Sequence, residues 1–216
     1  MVDLGAGTGK LTAALVTLGA EVIAVEPDAA MLAELRAALP AVRALPGNAE
    51  AIPLPDASAD AVVAGNAMHW FDMDVAGPEI ARVLAPHGIL AGLWNVFDDR
   101  VPWIAELMQI AGPAAIGKRD TLSNWRVQTA EAHLPRSASL ARFGSPEQAE
   151  FPHGQRRTAD SLVATFATKA GVLVMPPQVQ ETTLTAIRAY LAGRSETAMG
   201  DFLLPMLTGV LRVRQL

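Results

Sequence analysis

Apolar positions along the first hundred residues alternate between two rhythms. Short continuous runs at residues 1–4, 21–25, 42–45, 59–65 and 89–94 have the length of buried strands. Between them the spacing is helical. Leu11, Leu15 and Leu18 share one face of a helix over 10–18 that Gly19 stops. Asp28 is placed to cap a second helix whose apolar face is Leu32, Leu35 and Leu39, ended by Pro40. Residues 79–84 read as a third helix and Pro86-His87-Gly88 as a turn. Strands alternating with helices predict an α/β fold built on a parallel sheet with crossover helices.

The second half is less regular. Helical spacing covers 103–111, and 112–136 reads as a helical or irregular insertion. A strand is expected at 149–158 and helices at 160–171 and 179–192. One proline of Pro176-Pro177 suits the first turn of the latter, and Gly193 stops it. A final strand over 202–213 contains Pro205 and Gly209; proline there argues for an edge strand or a strand start.

With 216 residues, 51% of them apolar and 18% charged, the chain can bury the core of one sizeable domain. Seventeen basic against 22 acidic side chains give a net charge of −5, which argues against a nucleic-acid partner. The absence of cysteine removes disulfides and thiolate chemistry, and no metal-ligand spacing is present. No basic-then-apolar leader and no membrane-length apolar run occur, so a soluble cytoplasmic protein without a membrane partner is expected. The pattern sets no oligomeric state.

The chemistry concentrates where the first strand gives way to the first helix, at Asp3-Leu4-Gly5-Ala6-Gly7-Thr8-Gly9. Glycines at alternate positions allow a tight turn, expose backbone N–H groups and let a ligand approach closely. A nucleotide-triphosphate loop needs glycine where Leu4 stands and Ser or Thr where Leu11 stands. The dinucleotide fingerprint needs its third glycine where Lys10 or Thr12 stands, which leaves only a degenerate version of that reading. Glu26, at the end of the second strand, can accept both hydrogen bonds of a ribose diol.

Asp3 to Lys10 resembles motif I of the class I S-adenosylmethionine-dependent methyltransferases. The resemblance continues in Gly47-Asn48-Ala49-Glu50-Ala51-Ile52-Pro53-Leu54-Pro55, in Ser58-Ala59-Asp60-Ala61-Val62, and in Glu79-Ile80-Ala81-Arg82-Val83-Leu84. Ala67-Met68-His69-Trp70-Phe71-Asp72 and the closing Leu204-Pro205-Met206-Leu207-Thr208 are similar to the branch that includes trans-aconitate methyltransferase. The likeness is strong over 1–95 and weaker beyond.

That resemblance implies a Rossmann-like sheet of seven strands, mostly parallel with the last antiparallel, flanked by helices on both faces. It implies a single domain over 1–216: a cofactor half at 1–95, the insertion at 96–148, and C-terminal strands and helices at 149–216. The implied cofactor is S-adenosylmethionine. Asp3 would help hold its methionine part over Gly5, Ala6, Gly7, Thr8 and Gly9, with Glu26, Pro27 and Met31 on the ribose side. Asn48, Ala49 and Glu50 would reach the adenine, and Asn66 and Ala67 would close the site. His69 is the candidate base or acceptor-positioning group, or else packs with Trp70 over the adenine. Trp70 is a candidate acceptor contact; Trp94, Trp103 and Trp125 are candidates for the acceptor pocket, although large aromatics more often pack in a core. His133 and His153 read as surface residues. The expected acceptor is a small molecule, and a nicotinamide-dependent oxidoreductase or a non-catalytic cofactor binder stand as alternatives. Enzymes of this kind commonly carry a helix before motif I. A turn beginning two residues after Met1 therefore implies a chain shortened at its start, with weakened cofactor binding.

Overall fold

The computed structural model describes residues 1–116 and 143–216. The first elements are β1 (Val2–Leu4), α1 (Lys10–Thr17), β2 (Ile23–Glu26), α2 (Ala29–Ala38), β3 (Arg43–Pro46), β4 (Ala59–Gly65), a 3₁₀ turn (Met68–Trp70), α3 (Met73–Val83) and β5 (Leu84–Phe97). Then follow α4 (Pro102–Ala115), β6 (Glu147–Arg157), α5 (Ala159–Ala167), α6 (Ala170–Leu173), α7 (Pro177–Ala192) and β7 (Phe202–Arg214). Residues 117–142 of the expected insertion, with Trp125 and His133, lie outside the described residues.

The strands form one seven-stranded sheet in the order β3-β2-β1-β4-β5-β7-β6. β1 pairs in parallel with β2 and β4, β2 with β3, and β4 with β5. β7 runs against both its neighbours. On β5, Gly88 accepts from Gln215 while Asp98, just past the strand, donates to Pro205. On the other side Gly144 donates to Arg214, and Gly154 lies under Leu203. The expected mostly parallel sheet with an antiparallel last strand is therefore the one formed.

Several local expectations need correction. β7 lies inside the sheet rather than at its edge; Pro205 is tolerated there as a carbonyl acceptor, a role that needs no N–H. Leu18 is 83% exposed, and the buried residue of α1 is instead Thr12. α3 begins six residues before Glu79. Asp72 caps it through the N–H of Asp74, and Met73, Ala76, Ile80 and Val83 form a buried stripe that outweighs Gly77-Pro78. The Pro86-His87-Gly88 turn is a bulge within β5. Ala59 pairs with Leu84 but Ala61 with Ile89, and His87 takes up the extra length at φ +66°. The helix expected over 160–171 is two, α5 and α6, and its start shifts to a Thr158/Ser161 capping box.

The chain divides into two compact units. One contains described residues 1–94, 143–149 and 210–216, and the other 95–116 and 150–209. In the first, Ala6, Ala24, Leu32, Leu35 and Ala44 pack α2 against the sheet beneath the glycine turn. In the second, α4, α5 and α7 bury Ile104, Leu107, Leu162, Phe166, Ile187 and Leu191 completely, together with Leu204 and Met206 of β7. The Tyr190 hydroxyl ties α7 to α4, lying 2.9 Å from the Trp103 carbonyl oxygen and 2.8 Å from a Glu106 carboxylate oxygen. No helix among the described residues is long and apolar enough to cross a membrane.

A brace fixes the segment after β3. The Arg82 guanidinium donates to the carbonyls of Ile52 and Leu54 and to Glu79 and Asp56, while Glu79 accepts from the N–H of Ile52. A flat fork of donors fits this set of acceptors; a point charge does not. We expect Arg82→Ala to destabilise the chain by about 1–3 kcal/mol in urea denaturation. Arg82→Lys should recover less than half of that loss. An unshifted midpoint for Arg82→Ala would show that the brace adds nothing.

Candidate functional site

The chain leaves β1 through three glycines, all in the left-handed region: Gly5 at φ +71°, Gly7 at φ +56° and Gly9 at φ +86°. Two of them also need their missing side chain for space. A Cβ on Gly5 would stand 2.7 Å from the Ala67 Cβ, and one on Gly9 would stand 2.9 Å from Leu35. Gly7 differs: a Cβ there would meet only the Met31 sulfur, at 4.0 Å. Its bare side therefore opens onto free space. The turn is tied to β2, since the N–H groups of Gly5 and Ala6 both donate to the Val25 carbonyl.

Glu26 locks this arrangement. Its carboxylate is nearly buried, at 6% exposure. One oxygen accepts from the N–H of Gly7 at 2.8 Å, the other from the N–H of Asp28 at 2.9 Å. Each carboxylate oxygen has a second lone pair, so the group retains capacity for two further donors. Asp28 in turn caps α2 through the N–H groups of Ala30 and Met31. Pro27 and Met31 are exposed beside this corner.

Asp3 is fully buried below the turn. Oδ2 accepts from the Thr12 hydroxyl at 2.6 Å, while Oδ1 is buried with no hydrogen-bond partner among the described residues. Burial pushes its pKa from 3.8 to about 6; the hydrogen bonds from Thr12 act against this, and the nearby Glu26 charge adds to it. A buried, under-satisfied carboxylate beside an open glycine cradle suits a cationic group that brings its own donors.

The remaining candidates surround this corner within the first unit. Asn48 is exposed, with Oδ1 accepting from the N–H of Ala51, which leaves its NH₂ group as the donor it can offer. Ala49 is buried, and Glu50 accepts from the N–H of Asp72, so its carboxylate holds the start of α3. At the end of β4, Asn66 adopts φ +52° and donates its N–H to the Leu93 carbonyl. Ala67 is buried against Gly5. His69, half-buried, and Trp70, 81% exposed, lie on the 3₁₀ turn with ring centroids 5.1 Å apart. Trp94 is buried, its ring lying over Gly92 beside the Met68 sulfur, which places it in the packing of β5. Trp103 is a core residue of the second unit.

Residues not singled out from the sequence also build the site. Thr12 satisfies half of Asp3, and the Phe71 ring lies 3.6 Å from where a Gly5 Cβ would stand. Arg82 holds the segment that carries Asn48 to Leu54. The Glu79/Arg82 spacing, one helical turn, was a readable sign of that brace; Phe71 sits in the Ala67–Asp72 segment but its contact with Gly5 is not announced by spacing, and neither is that of Thr12.

A family model described as a methyltransferase domain matches residues 2–92, which contain this whole corner. An uncharacterized methyltransferase of Mycobacterium tuberculosis is 39% identical over 213 residues, covering 98% of this chain and 82% of its own length. An uncharacterized methyltransferase of Schizosaccharomyces pombe is 43% identical over 111 residues, 51% of this chain and 44% of its own. A solved structure from Anaeromyxobacter dehalogenans shares the fold with a TM-score of 0.63 at 24% identity, covering 99% of this chain and 87% of that one. The glycine turn, the strand order and a relative aligned along nearly the whole chain agree: this chain belongs to the methyltransferase family.

Proposed function

We propose that this chain binds S-adenosylmethionine at the β1–α1 turn and transfers its methyl group to a small-molecule acceptor. One observation carries the reading: Asp3 Oδ1 is buried and unpartnered beside a glycine turn whose open position is Gly7. The methionine ammonium suits Asp3, and the ribose diol suits the spare lone pairs of Glu26. Pro27 and Met31 flank the ribose, and Asn48 and Ala49 suit the adenine edge. Asn66 and Ala67 bound the cradle on the β4 side, and Gly5, Ala6, Thr8 and Gly9 form its floor. Bound there, the sulfonium cofactor supplies a methyl group already activated for direct displacement. The protein's work is to bind, orient and exclude water. His69 and Trp70 are the groups we assign to the acceptor side, with His69 positioning the nucleophile or receiving its proton. Trp94 supports that wall from within the core.

Calorimetric titration tests the cofactor assignment. We expect S-adenosylmethionine and S-adenosylhomocysteine to bind and NADH not to bind. Glu26→Ala should weaken binding roughly 10- to 100-fold, the loss of one or two hydrogen bonds to a charged group. Stabilisation by NADH alone would overturn the reading, and binding without turnover across an acceptor panel would favour a non-catalytic binder.

The glycines should separate binding from folding. Gly7→Ala carries a left-handed penalty of ~1–2 kcal/mol but meets no clash, so the chain should fold and lose cofactor affinity. Gly9→Ala adds a collision with Leu35 and should lose distinctly more stability. Equal stability losses with unchanged affinity in Gly7→Ala would refute the cradle.

Asp3 makes a pH-dependent prediction. Its folded-state pKa of about 6 lies above the ordinary 3.8, so its contribution to stability is full in acid and is lost as pH rises through about 6. Asp3→Asn should therefore be more stable than the parent at pH 8, on the order of 1–3 kcal/mol, with the gap closing toward pH 4. Cofactor affinity of the parent should rise over the same interval as the carboxylate ionises, and that rise should vanish in Asp3→Asn. Parallel melting and binding curves for the two proteins check both signs.

A further inference from the structure

A second polar constellation lies in the unit containing residues 95–116 and 150–209, on three adjacent strands. Thr208 on β7 donates its hydroxyl proton to Asn95 Oδ1 on β5 at 2.6 Å. On its other side the same oxygen lies 3.2 Å from His153 Nε2 on β6. Asn95 and His153 are exposed and Thr208 is half-buried, so solvent-borne molecules can reach the row. The core begins close by on the same strands, with Phe97 two residues beyond Asn95 and Met206 two residues before Thr208, both buried.

Proton bookkeeping fixes what this row presents. Thr208 has one hydrogen, and it is spent on an amide oxygen that cannot donate in return. The contact with His153 then requires the hydrogen on Nε2. A neutral imidazole carries a single N–H, so Nδ1 is left with its lone pair. Two residues before His153, and on the same side of the strand by alternation, Phe151 is 57% exposed. The row thus offers a hydrogen-bond acceptor of fixed tautomer with an uncovered aromatic ring nearby.

We propose that Asn95, Thr208 and His153 form a recognition site for a small molecule. His153 Nδ1 accepts from a hydroxyl or amino group carried on an apolar body that rests against Phe151. A carboxylate is the wrong partner, since it would face a lone pair with another lone pair. Thr208 and Asn95 are positioning residues that set the tautomer. The inference does not rest on the methyl-transfer reading.

Long-range ¹⁵N imidazole spectra of the full chain at pH 8 test it, with His153 assigned by its loss in His153→Gln. We expect His153 as the Nε2–H tautomer. Phenol or benzylamine should shift its Nδ1 resonance saturably, and benzoate should not; whichever of the first two binds tells hydroxyl from amine. Thr208→Val should free the tautomer and weaken that response roughly tenfold, the value of about one hydrogen bond. Thr208→Ser keeps the hydroxyl and should retain the response, which separates the effect from misfolding. An Nδ1–H tautomer, a stronger response to benzoate, or no saturable shift with either donor overturns the proposal. Calorimetry with S-adenosylmethionine on the same sample keeps the two claims apart. Failure to bind the cofactor sinks the cofactor assignment and leaves the His153 result standing; the converse outcome sinks only the His153 site.

Discussion

Everything around the glycine turn depends on one carboxylate spanning two backbone segments. Glu26 accepts from Gly7 with one oxygen and from Asp28 with the other. Gly7 lies in a turn whose backbone is left-handed at alternate residues, a conformation with no regular ladder to satisfy its N–H groups. Asp28 opens α2, where the first N–H groups of the helix also need acceptors. A single buried side chain thereby fixes the turn to the end of β2 and sets where α2 begins. The carbonyl of Val25 does the same from one residue earlier, by accepting from Gly5 and Ala6. Gly9 closes the corner by allowing Leu35 of α2 to pack directly on the turn.

This corner was legible because its constraints are local and written in residue types with few substitutes. Glycine at positive φ, an acidic residue at a strand end and Asp as a helix cap each have a physical reason that spacing alone exposes. Ala59–Gly65 was legible for a similar reason: a continuous apolar run between turn residues has little else to become. What sequence missed was set by tertiary contact. Gly77-Pro78 looks like a helix stop, yet α3 runs through it because its apolar stripe has a core to meet. Pro205 looks like an edge, yet the strand order puts β7 inside. Leu18 has the spacing of a core residue but is the C-cap just past the end of α1, where it is exposed.

The site residues divide along the same line. Asp3, Glu26 and the glycines were readable from their own neighbourhood. Phe71 and the Arg82 brace matter through partners far off in sequence, and Thr12 through Asp3 nine residues before it. Glu50 shows the reverse case. It sits in a recognisable segment, but its carboxylate serves the start of α3 by accepting from Asp72. A motif position can therefore also support the site by holding the chain. The paired row of Asn95, His153 and Thr208 was beyond any spacing argument, because only the antiparallel insertion of β7 between β5 and β6 brings those three strands side by side.

Asp3 puts stability and binding in opposition. A carboxylate with no exposure, one hydroxyl partner and a second acid nearby is costly to ionise, which is what a pKa of about 6 expresses. A chain selected for stability alone would place an amide or an apolar residue there. The same dehydration makes a charge at this position far more attractive to a cation than a carboxylate in water, where solvent already satisfies it. Thr12 moderates the cost without removing it, since it occupies one oxygen and leaves the other. Glu26 differs in that both its oxygens already have backbone donors. Two acids one strand apart thus do different work: Glu26 organises the backbone, and Asp3 holds an unmet charge that a bound cation can satisfy.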